Sequence, residues 1–162
     1  MTLELHTARF SHSFGDVVAT VDDTGRVHAL RFAADELEGL EDGTADYFHA
    51  VADALERYDA GEQDAFGGLE LHVEGTDFQR SVWEQLCQIP WGETRTYGEI
   101  AEAVGHPKAA RAVGMANNAN PHAIAVPCHR VVGSGGRLVG YASGLDHKRA
   151  LLAHESPETL LF

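Results

Sequence analysis

The chain has few cysteines and few lysines. Its 162 residues include two cysteines, Cys87 and Cys128, and two lysines, Lys108 and Lys148. Two cysteines form at most one bridge, which excludes a small domain stabilised mainly by disulfides. The N-terminus also lacks a basic stretch followed by an apolar core, so no secretory signal is visible. We therefore expect a cytoplasmic protein with free thiols.

Long apolar runs are absent as well. No stretch approaches the roughly 18 consecutive apolar residues that a membrane span needs. Hydrophobic residues nevertheless make up 44% of the chain, which is enough for an ordinary core. The length suits one compact unit or two small ones.

Positive charge is scarce only in the first half. The net charge is −13, and residues 1–75 hold 17 acidic and 4 basic residues, whereas residues 76–162 hold 8 of each. The second half can therefore present a local positive face to phosphate groups. The acidic, lysine-poor composition fits a protein from a high-salt host, and it fits an ordinary acidic cytosolic protein as well.

The first 72 residues have the pattern of a small α/β domain. Residues 14–21 and 26–32 are rich in β-branched or alternating apolar residues and flank the turn cluster Asp22–Gly25, which predicts a hairpin. Apolar residues at a spacing of three to four predict a helix over 45–58. This segment contains no cluster of candidate catalytic residues. We expect a domain boundary near residue 73.

Residues 73–162 have a more helical pattern. Thr76 is a candidate N-cap for a helix that ends before Pro90. Two short helices, over 97–104 and 109–117, are predicted on either side of a tight turn that contains Gly105, which is the outline of a helix-turn-helix. A last helix is expected over 146–154.

Cys128 is the candidate nucleophile. The apolar run over 123–126 predicts a strand that leads into Cys128, and the next residue, His129, is a candidate base that would generate the thiolate. An acid should fix the imidazole, and Glu155 is one candidate among several. Adjacent residues of a strand point to opposite faces, so His129 would need a water or a bend to reach the sulfur. Cys87 lies in an apolar helix without a nearby histidine, and we expect it only to pack.

The second half also resembles a known family. The segment Asn120–Pro121 followed by Val126–Val131 is similar to the active-site signature of the methylated-DNA–protein-cysteine methyltransferases, the 6-O-alkylguanine-DNA alkyltransferases. Further stretches match in order and with the same spacings, so that the resemblance covers about residues 73–157. They are 75–79, 82–83, 89–92, 96–97, 107–114, 140–141 and 151–155.

The resemblance implies both a fold and an activity. It implies an α/β (α+β) protein with a small N-terminal α/β domain, ribonuclease H-like, over 1–72. Residues 73–162 would form a helical, winged-helix-like domain with a helix-turn-helix. The implied function is DNA repair by direct damage reversal. The protein would flip 6-O-alkylguanine out of duplex DNA and transfer the alkyl group irreversibly to Cys128 in a single turnover.

Roles for individual residues come from the same resemblance. Cys128 would accept the alkyl group, His129 would act as base through a water, Glu155 would orient His129, and Asn120 would hold the active-site turn. Five residues would contact the DNA or the flipped base: Tyr97, Arg111, Tyr141, Ala142 through its backbone N–H, and Arg130. Arg111 would fill the space that the flipped guanine leaves in the stack.

Three departures from the family pattern affect the expected interactions. Asn117 and Asn118 stand where relatives often carry a second basic residue, so we expect DNA binding with a shallow salt dependence. Ala142 stands where serine is frequent, and we expect little loss from this change because the implied contact is made by the backbone N–H. The first 72 residues contain no cysteine, so the zinc site that some relatives hold there is not expected, and a histidine-only site is disfavoured. We expect no metal or other cofactor, no membrane association and a monomer.

Two other function classes compete with alkyl transfer. The alkyltransferase-like proteins bind damaged DNA without repairing it, but they lack the acceptor cysteine that this chain has. A cysteine hydrolase would use Cys128 and His129, but the helix-turn-helix and Arg111 would have no purpose in it.

Overall fold

The structure, a computed structural model, describes residues 2–33 and 38–156, and residues 1, 34–37 and 157–162 lie outside those ranges. The chain divides into two compact units, residues 1–73 and residues 74–162. Both strands and helices are present, so the expected mixed α/β class is confirmed. Within the described ranges, no helix combines the length and the apolar character that crossing a membrane requires.

A three-stranded antiparallel sheet forms the first unit's framework. Its strands are β1 (Leu5–Phe10), β2 (Val17–Asp22) and β3 (Val27–Phe32), in the order β1-β2-β3. The predicted hairpin is β2–β3, and β2 is buried along nearly its whole length because its β-branched residues pack well on a covered sheet. The turn between them is closed by the Asp22 carboxylate, which accepts from the backbone N–H of Thr24 at 2.9 Å.

The helix of the first unit covers this sheet. A 3₁₀ turn over Asp46–Phe48 leads into α1 (His49–Asp59), so the predicted helix is present with a tighter first turn. Val51, Leu55 and Tyr58 are fully buried and lie on one helical face at a spacing of three to four. This unit is therefore stabilised by an ordinary apolar core.

Two capping boxes begin the helices of the second unit. The Thr76 hydroxyl accepts from the Gln79 N–H at 3.1 Å at the start of α2 (Asp77–Leu86), so the predicted N-cap is confirmed. Thr96 and Glu99 form the same arrangement at the start of α3 (Tyr97–Ala103). A capping box satisfies two N–H groups that a helix start otherwise leaves unpaired.

Both predicted short helices, α3 and α4 (Ala110–Asn118), are present. α3 ends at a tight turn in which Gly105 adopts φ +83°, a conformation that favours glycine, and the N–H of His106 bonds to the Ala101 carbonyl at 2.9 Å. Val113 of α4 and Ile100 of α3 are buried in the core of this unit. The opposite face of α4 is exposed.

Short parallel strands join the two halves of the second unit. β4 (Arg95–Thr96) pairs with β5 (Val131–Val132) in the register Thr96↔Val132. The start of α3 is thereby held beside the segment that follows Cys128. The last helix, α5 (Leu145–Glu155), is one residue longer at each end than predicted.

Candidate active site and DNA interface

Cys128 does not follow a strand, and the prediction of a strand over 123–126 is wrong. That segment forms consecutive turns in which Ile124 adopts φ +71°, and a 3₁₀ turn over Cys128–Arg130 follows. The N–H of Val126 bonds to the His122 carbonyl at 2.9 Å, and the N–H of Cys128 bonds to the Val126 carbonyl at 2.7 Å. These local bonds replace the ladder that a strand would need. Cys128 is 6% exposed, so its sulfur lies in a nearly dry environment.

An asparagine side chain explains this turn. The Asn120 amide donates to the Val126 carbonyl at 2.8 Å, and its oxygen accepts from the His122 N–H at 3.0 Å. Asparagine commonly bonds the backbone two residues on, and this bond competes with regular secondary structure. Pro127 lacks an N–H, which further disfavours a ladder here.

A second asparagine bonds the same turn. Asn117, at the C-terminal end of α4, is 1% exposed and donates from Nδ2 to the Cys128 carbonyl at 3.3 Å. Its Oδ1 accepts no hydrogen bond from the described residues. Sequence reasoning treated Asn117 only as a missing cation, whereas the structure places its side chain inside the unit, between α4 and the cysteine.

A buried carboxylate joins two basic side chains behind Cys128. Glu155 Oε2 lies 2.7 Å from His129 Nε2, and Glu155 Oε1 accepts from Arg130 Nε at 2.7 Å. All three side chains are buried. Burial alone would raise the pKa of Glu155, but the contacts with His129 and then Arg130 outweigh it and hold that pKa at about 2. The carboxylate is therefore ionised throughout the neutral range.

Arg130 lies on the inner side of this cluster. Its Nη1 donates to the Ile89 carbonyl at 2.7 Å, and Nη2 donates to Glu155 Oε2 at 3.1 Å. The expected contact of Arg130 with DNA stays a prediction, and in this structure all of these guanidinium contacts lie inside the unit. These hydrogen bonds indicate that Arg130 holds the Glu155 carboxylate in place.

Opposing effects act on the thiol itself. Burial raises the pKa of Cys128, while hydrogen bonding from Asn120 and Tyr141 and the charge of Lys148 lower it without fully offsetting burial. His129 Nδ1 is buried and has no hydrogen-bond partner among the described residues. The free Nδ1 can accept a proton while Nε2 is bound to Glu155.

Sequence reasoning missed Lys148. This lysine of α5 is fully buried, and its Nζ donates to the carbonyls of Gly140 at 3.1 Å and Val139 at 3.3 Å. Burial lowers the pKa of Lys148 from 10.5 to about 8, and the nearby Cys128 acts in the opposite direction. A signal was present, because Lys148 shares a helical face with Leu151, Leu152 and Glu155.

The expected base-binding aromatics lie beside the cysteine. The Tyr97 hydroxyl donates to the Val139 carbonyl at 3.1 Å, and burial, followed by the nearby Cys128, raises the pKa of Tyr97. Lys148 Nζ is 5.9 Å from the centre of the Tyr97 ring and 6.0 Å from that of Tyr141. Ala142 is exposed next to Tyr141.

The outer face of α4 carries the remaining candidate, Arg111. Arg111 is exposed, and so are Ala112, Met115 and Asn118 on the same face. Met115 is 71% exposed, which is unusual for a large apolar side chain on a helix. This exposed face of α4 has mostly uncharged side chains and the cation of Arg111, so a binding partner could approach the helix backbone closely.

Comparison with known proteins gives one consistent result. Residues 77–157 match the family described as "6-O-methylguanine DNA methyltransferase, DNA binding domain". The methylated-DNA–protein-cysteine methyltransferase of Methanosarcina barkeri is 60% identical over 109 residues, which cover 67% of this chain and 68% of the relative. The corresponding protein of Mycolicibacterium paratuberculosis is 51% identical over 137 residues, 81% of this chain and 82% of the relative.

Solved structures agree over nearly the whole chain. The Mycobacterium tuberculosis O6-methylguanine methyltransferase has a TM-score of 0.80 at 42% identity, covering 94% of this chain and 93% of that one. A complex of the M. tuberculosis protein with DNA gives 0.81 at 41% identity, covering 93% and 92%. The chain belongs to the methylated-DNA–protein-cysteine methyltransferase family.

Proposed function

We propose that this protein repairs DNA by removing an alkyl group from 6-O-alkylguanine in a duplex and transferring it to its own Cys128. The observation that carries the proposal is the placement of a buried thiol beside the His129–Glu155 pair, in the same compact unit as the two short helices α3 and α4. Membership of the methyltransferase family supports the same activity.

The transfer balances without any cofactor. The Cys128 thiolate attacks the alkyl carbon, a carbon–sulfur bond forms, and the bond from that carbon to the guanine oxygen breaks. The bonding pair stays on guanine, and the proton that left the thiol ends on guanine. The product is a thioether that the protein does not reverse, so each molecule acts once.

His129 generates the thiolate in this mechanism. The ionised Glu155 accepts a hydrogen bond from Nε2 of His129, and this favours the tautomer in which Nδ1 is the acceptor. Nδ1 then takes the thiol proton through a water. Arg130 holds the carboxylate from its other side and so keeps this tautomer in place.

The target atom lies inside the duplex, so the base must leave the stack before a buried thiol reaches it. Unstacking costs a few kcal/mol, and Arg111, exposed on α4, enters the gap and offsets part of that cost. The small side chains of α4 allow its backbone close to the minor groove, where the base edges are nearly degenerate. Recognition then depends little on sequence, as a repair protein requires. Tyr97, Tyr141 and the Ala142 N–H line the pocket for the flipped base.

Finer features of the architecture belong to the same proposal. We infer a ribonuclease H-like first domain over 1–72, supported by three antiparallel strands followed by a helix. We infer a winged-helix-like second domain over 73–162, supported by α3 and α4 with the short strands beside them. A monomer suffices, because one chain supplies the thiol, the histidine and the carboxylate.

The test is a mass measurement on the intact protein. After incubation with a duplex that contains one O6-methylguanine, the protein should gain one methyl group per molecule, on the peptide that bears Cys128. Cys128→Ser should bind the duplex without gaining mass, and Cys87→Ser is the matched control that should react normally. DNA binding without any mass gain in the unaltered protein would support a non-transferring binding module, and repeated turnover would support a hydrolase.

A further inference from the structure

Asn117 holds a buried oxygen that accepts no hydrogen bond from the described part of the chain. This residue of α4 is 1% exposed, and the unpaired atom is its Oδ1. The other end of the same amide is used, because Nδ2 donates to the Cys128 carbonyl at 3.3 Å. A buried acceptor without a donor lowers stability, and such groups are rare in proteins. Stability alone therefore does not explain the asparagine, since leucine has a similar volume and no polar atom.

The side of α4 that carries Asn117 faces the cysteine. Gly114 lies three residues earlier and so on the same helical face. A Cβ at Gly114 would lie 3.8 Å from the Tyr97 ring, and Cys128 contributes to the raised pKa of Tyr97. Oδ1 of Asn117 is thus beside the space between Tyr97, α4 and Cys128. Cys128 is itself nearly buried, so a base that reaches the sulfur enters the same covered region as this oxygen.

Alkylated bases differ in what they offer to an acceptor. In 6-O-alkylguanine N1 carries no hydrogen, so the 2-amino group holds the only N–H donors of the base. Alkylation of thymine at O4 removes the hydrogen from N3 and leaves that base with no N–H donor. Flipped bases are read by hydrogen bonds to this edge. An unpaired acceptor in the pocket therefore gains a hydrogen bond from the guanine lesion and none from the thymine lesion.

We propose that Asn117 is a specificity-determining residue, whose Oδ1 accepts a hydrogen bond from the 2-amino group of the flipped 6-O-alkylguanine and so favours alkylated guanine over alkylated thymine. Nδ2 holds the Cys128 carbonyl while Oδ1 binds the base. The proposal rests on the proposed function, because it takes a base flipped to Cys128 as the ligand. The expected preference is about tenfold, which is the size of one neutral hydrogen bond.

The first experiment compares single-turnover methyl-transfer rates, followed by the mass of the intact protein. The duplexes contain O6-methylguanine or O6-methylhypoxanthine, which differs only in lacking the 2-amino group. The unaltered protein should react about tenfold faster with methylguanine, whereas the two rates of Asn117→Leu should agree within about twofold. A purely structural role of Asn117 would slow both transfers by the same factor. O4-methylthymine also lacks the donor, so Asn117→Leu should slow its transfer no more than that of methylhypoxanthine.

Asn118→Leu is the matched control, because it removes an asparagine at the next, exposed position of α4. Any change in its rates should be the same for both duplexes, so that the preference remains. Equal rates in the unaltered protein would overturn the proposal without any variant. A preference that persists in Asn117→Leu would overturn it as well, and would leave Asn117 as a support of the Cys128 carbonyl only.

The second experiment requires no transfer and so separates this proposal from the proposed function. Cys128→Ser cannot accept the methyl group, and fluorescence anisotropy gives its affinity for the same duplexes. It should bind the methylguanine duplex about tenfold more tightly than the methylhypoxanthine duplex, and the double variant Cys128→Ser, Asn117→Leu should bind both alike. Equal affinities of Cys128→Ser would overturn the role of Asn117 even where the unaltered protein gains methyl groups. A preference that the double variant loses would support it even where no transfer occurs.

Discussion

Replacement of Glu155 by glutamine should destabilise the protein strongly and abolish efficient transfer. The carboxylate is 1% exposed and accepts from His129 on one side and Arg130 on the other. Glutamine has nearly the same shape but no charge, and its amide presents N–H groups to one of those donors. The Arg130 guanidinium would then be a buried cation without its counter-ion.

Two independent estimates give the size of the loss. Breaking a buried ion pair by removing one partner costs about 3–5 kcal/mol. The pKa of Glu155, held at about 2 against an ordinary value of 4.5, corresponds to about 3 kcal/mol through the linkage of protonation and folding. A loss of this size is a large share of the roughly 5–15 kcal/mol by which small proteins are stable.

Urea unfolding at pH 7.5, followed by tryptophan fluorescence, measures this difference. Glu102→Gln is a control on an exposed carboxylate of α3 and should change stability by less than about 0.5 kcal/mol. The double variant Glu155→Gln, Arg130→Met removes the stranded cation and should regain part of the lost stability without regaining transfer, because His129 still lacks its carboxylate. The reasoning fails if Glu155→Gln lies within about 1 kcal/mol of the unaltered protein, or if the double variant is no more stable than the single one.

Three further predictions follow from the same contacts. The stabilisation by Glu155 should be fully present above its ordinary pKa and should be lost as the pH falls from about 4.5 towards 2; urea midpoints across this range should drop less in the double variant, and equal drops would contradict this. Asn117→Leu should change stability by less than about 1 kcal/mol, because it removes a long 3.3 Å bond together with a buried unpaired oxygen; an unfolding measurement that shows more than about 2 kcal/mol would refute it. The logarithm of DNA affinity should fall with the logarithm of salt concentration with a slope no steeper than about −4, and a steeper slope in a fluorescence-anisotropy titration would contradict the shallow dependence. That limit comes from the basic residues of the second unit that are neither buried nor ion-paired within the described ranges: Arg80, Lys108, Arg111 and Arg137.

Elements whose signals are local were predictable from the sequence. Thr76 begins a helix as predicted, because a capping box involves only four consecutive residues. The turn after α3 was predictable for the same reason, since Gly105 alone supplies the backbone conformation that the turn needs. The ends predicted for α3, α4 and α5 accordingly differ from the observed ones by one residue at most, whereas α2 already ends at Leu86 and α1 begins at His49 after a 3₁₀ turn.

The strand prediction before Cys128 failed because a side chain just outside the apolar run decides the local structure. An apolar run over 123–126 fits a buried strand or a buried turn equally well in composition. Asn120 resolves the ambiguity by binding the Val126 carbonyl and the His122 N–H. The error has a chemical consequence, because Cys128 and His129 lie on a 3₁₀ turn and not on opposite faces of a strand.

Arg130 and Lys148 show why the contacts of charged side chains in a site are harder to predict from the sequence than the identity of the nucleophile. A basic residue near a predicted DNA interface is usually taken as a phosphate contact, but its direction depends on tertiary neighbours. Arg130 binds Glu155, 25 residues away in the chain, and Lys148 binds the carbonyls of Val139 and Gly140 in the preceding loop. Composition records such charges without showing that they are buried.

The helix α5 joins these two observations. Lys148 and Glu155 are seven residues apart, which is two helical turns, so one face of α5 carries both the lysine that binds the 139–140 carbonyls and the carboxylate that binds His129. The base that creates the thiolate and the loop next to the cysteine therefore both depend on the docking of a single helix. Any change that loosens α5 should reduce the reactivity of Cys128 even where the turn that carries the sulfur stays intact, since neither Asn117 nor Asn120 supplies a charge.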